Sequence, residues 1–405
     1  MLYYSNKRKG PLHGIKVCDL SRLIAGNMLS LQLADFGCDV IKIEDIKAGD
    51  PLRAWREKGV SGFWKVYSRN KRSMAINFRD KKAKSILLKM AETSDVFIES
   101  FRPGVMEEMG LSPSRLQREN AKLIIVRISG FGQTGPYNQK PGFGTLVEGM
   151  SGFASRNGFP DRPPLLPPIA LADMVAGIQG AYATMVALRE VELKSNKGQV
   201  IDLSLFEPLF SLLGPEALSF ELTKQPKKRR GNQSNTSAPR DIYITKDNKY
   251  IALSASIQTM AEKVFKVIGK EEMINHDKFK SNENRVKNSA EVNSIVASWI
   301  KKYEQEEVLK IFERAGITAA PIYDISDIMV DPHIRDRETI IEIEDNDLGH
   351  AMHHNIFPKL SLTKGKFRRP APNLGEHSNE ILREAGFSKQ QITQLCEQGV
   401  INKRI

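Results

Sequence analysis

Strand, helix and strand succeed one another within the first 45 residues, and few folds accept that order. GIKVCDLS (14–21) is apolar and β-branched and reads as a buried strand. AGNMLSLQLADFG (25–37) has helical spacing and stops at Gly37, a C-terminal cap. CDVIKIED (38–45) is a second buried strand. A helical connection of this length joins parallel strands, so the unit is βαβ. The alternation continues through a helix at 79–94, a strand at 95–100 and KLIIVRISGFGQTGP (122–136), a strand running into a glycine-rich loop. GQVIDLSLFEPLFSLLGPEALSFEL (198–222) reads as a strand followed by one long apolar helix. The pattern predicts an α/β domain over residues 1–222. A dinucleotide site would need G-x-G-x-x-G in the first turn and an acid such as Glu44 after the second strand. That turn is SRLIAGN, with one glycine, which argues against nicotinamide or flavin chemistry.

At 223–240 the chain becomes polar (TKQPKKRRGNQSNTSAPR), which marks a domain boundary. DIYITKDNKYIALSAS (241–256) predicts a hairpin turning at Asp247-Asn248, and three amphipathic helices follow. Residues 223–330 are thus expected to form a smaller α+β domain, and 331–405 a C-terminal return segment with strands at 339–345 and 351–363 and one terminal helix.

The net charge of +12 makes an anionic partner the natural expectation. The one dense basic cluster, Lys227-Lys228-Arg229-Arg230, lacks interleaved aromatics and reads as a solvated loop, so no nucleic-acid partner is expected. Cys18, Cys38 and Cys396 show neither metal nor redox spacing, and no metal site is expected. The N-terminal stretch carries Lys7, Arg8 and Lys9 without an apolar segment, and no run suggests a membrane span. A cytoplasmic protein is expected.

ALADMVAGIQGAYATMVAL (170–188) follows a Pro-rich approach and begins a long helix, with Asp173 at its N-cap or beside it. Two readings stand. Asp173 caps the helix by accepting backbone N–H groups, or it is a nucleophilic carboxylate whose reacting carbonyl lies against the helix N-terminus. The glycines of PGFG (141–144) permit close backbone approach to a ligand. NKR (70–72) at a strand start reads as an ordinary solvated turn, or its two basic residues hold a phosphate.

Taken together, LHGIKVCDLSRLIAG (12–26), LADFGCDVIKIE (33–44), GDPLR (49–53), NKRS (70–73), DVFIESFRPG (95–104), SGFGQTGP (129–136), PGFG (141–144), ALADMVAG (170–177), GQVIDLSLFE (198–207) and PNLGEHSNEIL (372–382) resemble the class III CoA-transferases, relatives of formyl-CoA and carnitine CoA-transferases. The resemblance implies a large Rossmann-like domain, a smaller α+β domain, and a homodimer of two chains threaded as linked rings. It implies that CoA moves from an acyl-CoA thioester to a free carboxylic acid, with Asp173 as nucleophile. No permanently bound cofactor is implied; coenzyme A is substrate and carrier. The implied CoA contacts are Leu23, Ile24 and Ala25; Asn70, Lys71, Arg72 and Ile76; Arg79; and Ser100, Phe101 and Arg102. Lys71, Arg72, Arg79 and Arg102 would serve the phosphates.

The family often has Asn where Ser100 stands and Gln in place of Ile24, and this chain departs from it in two further places. Many relatives carry an acid after Pro-Gly-aromatic, where Gly144 follows Phe143 here, and Glu148 stands one helical turn on as its substitute or as a solvated residue. The run of glycines that closes the site in formyl-CoA transferases corresponds to RGNQSNTSAPR (230–240), with one glycine. The related 2-methylacyl-CoA racemases use an Asp with a His, and Phe143 stands where that His would be; no histidine occurs between His13 and His276. A racemase, and a CoA-binding protein without turnover, are the alternatives to a transferase.

Overall fold

The computed structural model describes residues 2–7 and 9–402; Met1, Arg8 and residues 403–405 lie outside the described residues. The chain divides into two compact units. The larger comprises Met1–Phe153, Leu166–Glu216 and Glu338–Ile405. The smaller comprises Ala154–Leu165 and Ala217–Arg337.

The larger unit is built on six strands: β1 (Lys16–Asp19), β2 (Asp39–Asp45), β3 (Lys71–Ile76), β4 (Val96–Glu99), β5 (Ile124–Ser129) and β6 (Val200–Ser204). Their order is β3-β2-β1-β4-β5-β6, and every pairing is parallel, with Val17 of β1 between Val40 and Val96. Consecutive residues point to opposite faces, and both faces are covered, as parallel sheets require. Cys18, Ile41, Met74 and Phe97 pack beneath helix α2 (Lys81–Glu92). Val17, Val40, Val96 and Val126 pack beneath α1 (Leu23–Asp35). The chain leaves β1 toward one side and β4 toward the other, so a crevice opens between their C-terminal ends. Ligands of doubly wound sheets bind at such a switch point.

Two further helices frame that crevice, α3 (Gly144–Met150) and α4 (Leu171–Glu190). The small residues of α4 let it lie close on α1: a Cβ at Gly177 would stand 2.7 Å from the Ala25 carbonyl oxygen. Ala176, Gly180, Thr184 and Ala187 continue this buried face, while Ile178, Tyr182 and Val186 are exposed. Residues Leu171–Ser195 form the one helix among the described residues long and apolar enough, by length and composition, to cross a bilayer. The sequence reading missed this, because small Gly and Ala residues do not form an obvious apolar run. Half of this helix is core against α1 and the sheet.

The smaller unit has an antiparallel sheet of β7 (Arg240–Ile244), β8 (Tyr250–Ser254) and β9 (Ala319–Pro321). Asn248 turns the hairpin with φ +59°. Helices α5 (Gln258–Val267), α6 (Ser289–Ile300) and α7 (Gln305–Arg314) bury Phe265, Val292, Val296 and Phe312 against Ile251 and Leu253. The basic cluster is not simply solvated. The Arg229 guanidinium donates to the carbonyls of Phe159 (3.2 Å) and Arg162 (3.0 Å), and Arg230 donates to Ser289 Oγ (2.8 Å). These bonds explain why 154–165 belongs to this unit.

The C-terminal segment supplies a hairpin, β10 (Ile340–Asp345) and β11 (Gly349–His354), then α8 (Ser378–Glu384) and α9 (Lys389–Glu397). Ile381, Leu382 and Ile392 join the core below α2. Three expected elements differ. The strand expected over 351–363 stops at His354. The terminal helix breaks at Gly386, φ +90°. The long helix after β6 is two short ones, Phe206–Ser211 and Glu216–Thr223, because Gly214 (φ +63°) and Pro215 interrupt it.

Candidate active site

Asp173 is not the N-cap of α4. Ala170 is, without a side-chain cap, and Asp173 stands in the first turn. The cap comes from elsewhere: buried Glu148, on α3, accepts the Ala172 N–H at 3.2 Å. The Asp173 carboxylate is therefore free of the capping duty. Backbone N–H groups of Ala25 and of Asp173 itself face it. Burial, and then the Glu148 charge, push its carboxyl up from the ordinary 3.8 to about 6. At neutral pH it remains mostly ionised, yet it is more basic than a solvated aspartate, which suits a nucleophile.

Glycine contacts set the approach to this group. Gly130 and Gly142 meet backbone to backbone, since a Cβ on Gly130 would lie 2.6 Å from the Gly142 Cα. The 130–133 loop is itself tied to β6, where Asp202 accepts the Gln133 N–H at 2.9 Å. Phe143, at the N-cap of α3, is 61 % exposed. A Cβ at Gly144 would collide with Asp173 Oδ2, so any side chain at this position would have to displace the carboxylate. Gly144→Ala is expected to turn the Asp173 carboxylate aside. It should lower turnover by about tenfold or more while thermal unfolding shows an intact fold. Glu148→Gln keeps an acceptor for the Ala172 N–H but removes a charge that raises Asp173. The acid limb of the pH–rate profile is expected to move to lower pH.

The turn between β1 and α1 presents the Ala25 N–H. Leu23 there has φ +62°, unusual for a residue with a side chain. A buried network holds it. Asp50 Oδ1 accepts the Leu23 N–H (3.2 Å), and Asn27 Nδ2 donates to the Leu23 carbonyl (2.6 Å) and to Asp50 Oδ2 (2.8 Å). Lys71 Nζ donates to the Asn27 carbonyl and Oδ1, both at 3.0 Å. Below them Asp19 accepts from Ser21 N (2.9 Å) and Ser30 Oγ (2.6 Å), with Lys42 at 3.4 Å and Lys71 at 3.9 Å. Burial alone would raise the Asp19 carboxyl, but Lys42, Lys71 and the two hydroxyls outweigh it and hold it low. Burial depresses Lys71 to about 7, despite the pull of Asp19.

The residues expected to contact CoA fall into two groups. Leu23, Ile24 and Ala25 lie just after β1, and Ser100, Phe101 and Arg102 just after β4. The Arg22 N–H donates to Ser100 Oγ (3.0 Å), and the Arg22 guanidinium lies 6.0 Å from the Phe101 ring centre. Phe78 packs edge-on against Phe101 at 6.1 Å, which brings the end of β3 and exposed Arg79 to the same edge. Ile76 ends β3 but is fully buried.

Asn70, Lys71 and Arg72 are placed elsewhere: Asn70 precedes β3 and Lys71 and Arg72 begin it, at the opposite end of the strands. Their polar groups are already engaged. Asn70 Nδ2 donates to Asp35 Oδ1 (2.7 Å). Arg72 pairs with Asp39 (2.5 Å), Glu380 (2.9 Å) and Glu384 (2.8 Å). Lys71 is fully buried under α1. Lys71 and Arg72, expected to serve the CoA phosphates, are thus engaged within the fold, whereas Arg79 and Arg102, and also Arg22, are exposed. Sequence reading missed Arg22, Asn27 and Asp50; the last stands inside the quoted GDPLR motif, but its reach to the β1–α1 turn is a tertiary fact. Among the described residues no group of His, Cys, Asp and Glu gathers as a metal site.

The profile of the CoA-transferase family III matches residues 12–378. Succinyl-CoA–D-citramalate CoA-transferase of Chloroflexus aurantiacus is 34% identical over 401 residues, covering 98% of this chain and all of the relative. Human succinyl-CoA:glutarate CoA-transferase is 30% identical over 397 residues, covering 97% of this chain and 90% of the relative. A crystal structure of a CaiB/BaiF family protein from Brucella suis superposes with a TM-score of 0.81 at 28% identity, covering 93% of this chain and all of that one. A match along nearly the whole chain, in sequence and in fold, shows that this protein belongs to CoA-transferase family III and moves CoA from an acyl-CoA thioester to a free carboxylic acid.

Proposed function

We propose that Asp173 carries the acyl group and then the CoA, that the donor is succinyl-CoA, and that the acceptor is a short dicarboxylic acid. The observation that supports the first part most directly is the placement of Asp173. It is a partly buried carboxylate of raised basicity, facing the Ala25 amide at the β1/β4 switch point, with a glycine where a side chain would block it. The substrates rest on the relatives, both of which are named for succinyl-CoA and a short dicarboxylate.

In this reading one Asp173 oxygen attacks the thioester carbonyl. The carbon–sulfur bond breaks, CoA leaves as thiolate, and a mixed anhydride remains. The thiolate then attacks the aspartyl carbonyl, giving an aspartyl-CoA thioester and releasing succinate. The acceptor carboxylate attacks that thioester, and the thiolate finally attacks the acceptor's acyl carbon, which restores Asp173. The Ala25 N–H is positioned for the oxyanions that form on the way. Leu23, Ile24, Ala25, Ser100 and Phe101 line the path of CoA, and Arg22, Arg79 and Arg102 meet its phosphates. Phe143, Gly144 and Glu148 form the wall beside Asp173. A two-base racemase is disfavoured, since Phe143 offers no proton.

The chain works as a homodimer in this reading, with the two chains threaded as rings. The exposed apolar side chains of α4, among them Ile178, Tyr182 and Val186, support a covered surface there. A reducing, cytoplasmic setting fits three free cysteines. No permanently bound cofactor is needed, because CoA is the carrier.

Incubation with succinyl-CoA, trapping with hydroxylamine or borohydride, and mass spectrometry of the peptide containing ALADMVAG test the covalent step. A modified Asp173, absent from Asp173→Asn, is expected. An unmodified peptide in a protein that binds CoA and turns over no dicarboxylate would favour a CoA-binding role without transfer.

A further inference from the structure

The edge of the large unit's sheet away from Asp173 carries a pocket of about 400 Å3 that the transfer reaction does not use. It lies where β1 and β2 begin, and its walls include Lys7, His13, Lys16, Arg368 and Arg369. Three carboxylates, Asp39, Glu380 and Glu384, also reach it, but Arg72 pairs with each of them at 2.5 to 2.9 Å. Asp39 and Glu380 also favour the charge of Arg369, but at longer range than their ion pairs with Arg72. Arg368 is 9 % exposed; one of its terminal nitrogens donates to the carbonyls of Ala34 (3.0 Å) and Cys38 (2.6 Å), while its Nε is buried with no acceptor. The Nε of Arg369 is likewise buried with no acceptor.

Guanidinium donors match oxyanions best. Arg368 and Arg369 both line this cavity together with Lys7, Lys9 and Lys16. Burial and neighbouring cations, Arg369 for the one and Arg72 for the other, disfavour their charged forms more than the nearby carboxylates, Asp39 for both, favour them. A bound anion would relieve that repulsion. We propose that this pocket is a second anion site, in which Arg368 and Arg369 bind a phosphate-type oxyanion at the edge of the sheet opposite the catalytic crevice. The oxyanion is either free phosphate or the phosphate end of a nucleotide, and a cavity of this volume takes both.

The test titrates inorganic phosphate, and separately ADP, into the full chain saturated with CoA, by calorimetry. Saturation occupies the catalytic-edge phosphate contacts. Saturable binding of at least one probe is expected, weakened about tenfold or more by Arg369→Ala and weakened also by Lys16→Ala, whose side chain takes no part in the core. Asp173→Asn should bind as the parent does. The tighter probe identifies the source of the oxyanion. Absence of saturable binding of either probe to the parent overturns the proposal, as does binding that neither Arg369→Ala nor Lys16→Ala changes.

Discussion

Asp173→Asn is expected to lose CoA transfer by at least about 104-fold and to gain stability at neutral pH. On the proposed mechanism, the variant would still bind CoA but have no atom to accept the acyl group. CoA affinity should hardly change, because the proposed CoA path runs over Leu23–Ala25 and Ser100–Arg102. The gain in stability follows from the raised carboxyl. Folding lifts it from 3.8 to about 6, so the native state holds this proton more tightly than the unfolded chain does. Below about pH 4 the group is protonated in both states and costs nothing. Above about pH 6 it is ionised in both, and the native state bears the unfavourable charge, of order 2–3 kcal/mol. Asparagine removes that charge. Denaturant unfolding at pH 7.5 should show the variant more stable than the parent, and the difference should shrink toward pH 4. An inactive variant that is also less stable at pH 7.5 would show that Asp173 is structural support and not a strained functional group.

The frame of this fold was legible because it rests on periodicity. The β1–α1–β2 unit, the hairpin at Asp247-Asn248 and the helices of the smaller unit all follow from local apolar spacing, and each forms where expected. Helix ends were less legible. Gly214-Pro215 and Gly386 break helices that the apolar pattern alone would carry through, although both signals were visible in the residues themselves. Asp173 stood out because an acid opens a helix of small residues, but its position in the first turn depends on Glu148 reaching over from another helix to cap Ala172. No local pattern carries that. Lys71 and Arg72 show the opposite case. A basic pair at a strand start has the chemistry of a phosphate site, and only the tertiary structure shows that one lies beneath α1 and the other faces three carboxylates.

Asp19→Asn is expected to destabilise the larger unit by about 3–5 kcal/mol, because it strips the shared partner from two buried ammonium groups. Asp19, Lys42 and Lys71 are all fully buried. Lys42 retains Asp50 at 3.3 Å, but Lys71 keeps as hydrogen-bond partners the neutral oxygens of Asn27, with the charges of Asp50 and Asp35 acting from farther off. Its pKa, already about 7, should fall further, and the ammonium should lose its proton. Two readouts follow. Urea unfolding should show a lower midpoint with an unchanged slope. Lys71→Met, destabilising on its own, should cost less in the Asp19→Asn background, since the attraction between Lys71 and Asp19 is already lost there. The pH dependence has a definite sign. The Asp19 carboxyl is held below its ordinary value, so its contribution is fully present above the unfolded-state value and is lost as pH falls through the lower folded-state one. The parent should therefore lose its advantage over Asp19→Asn in acid. Additive single-variant effects would mean that the two charges do not interact. In that case the turn that presents the Ala25 N–H to Asp173 would be held by Asp50 and Asn27 alone.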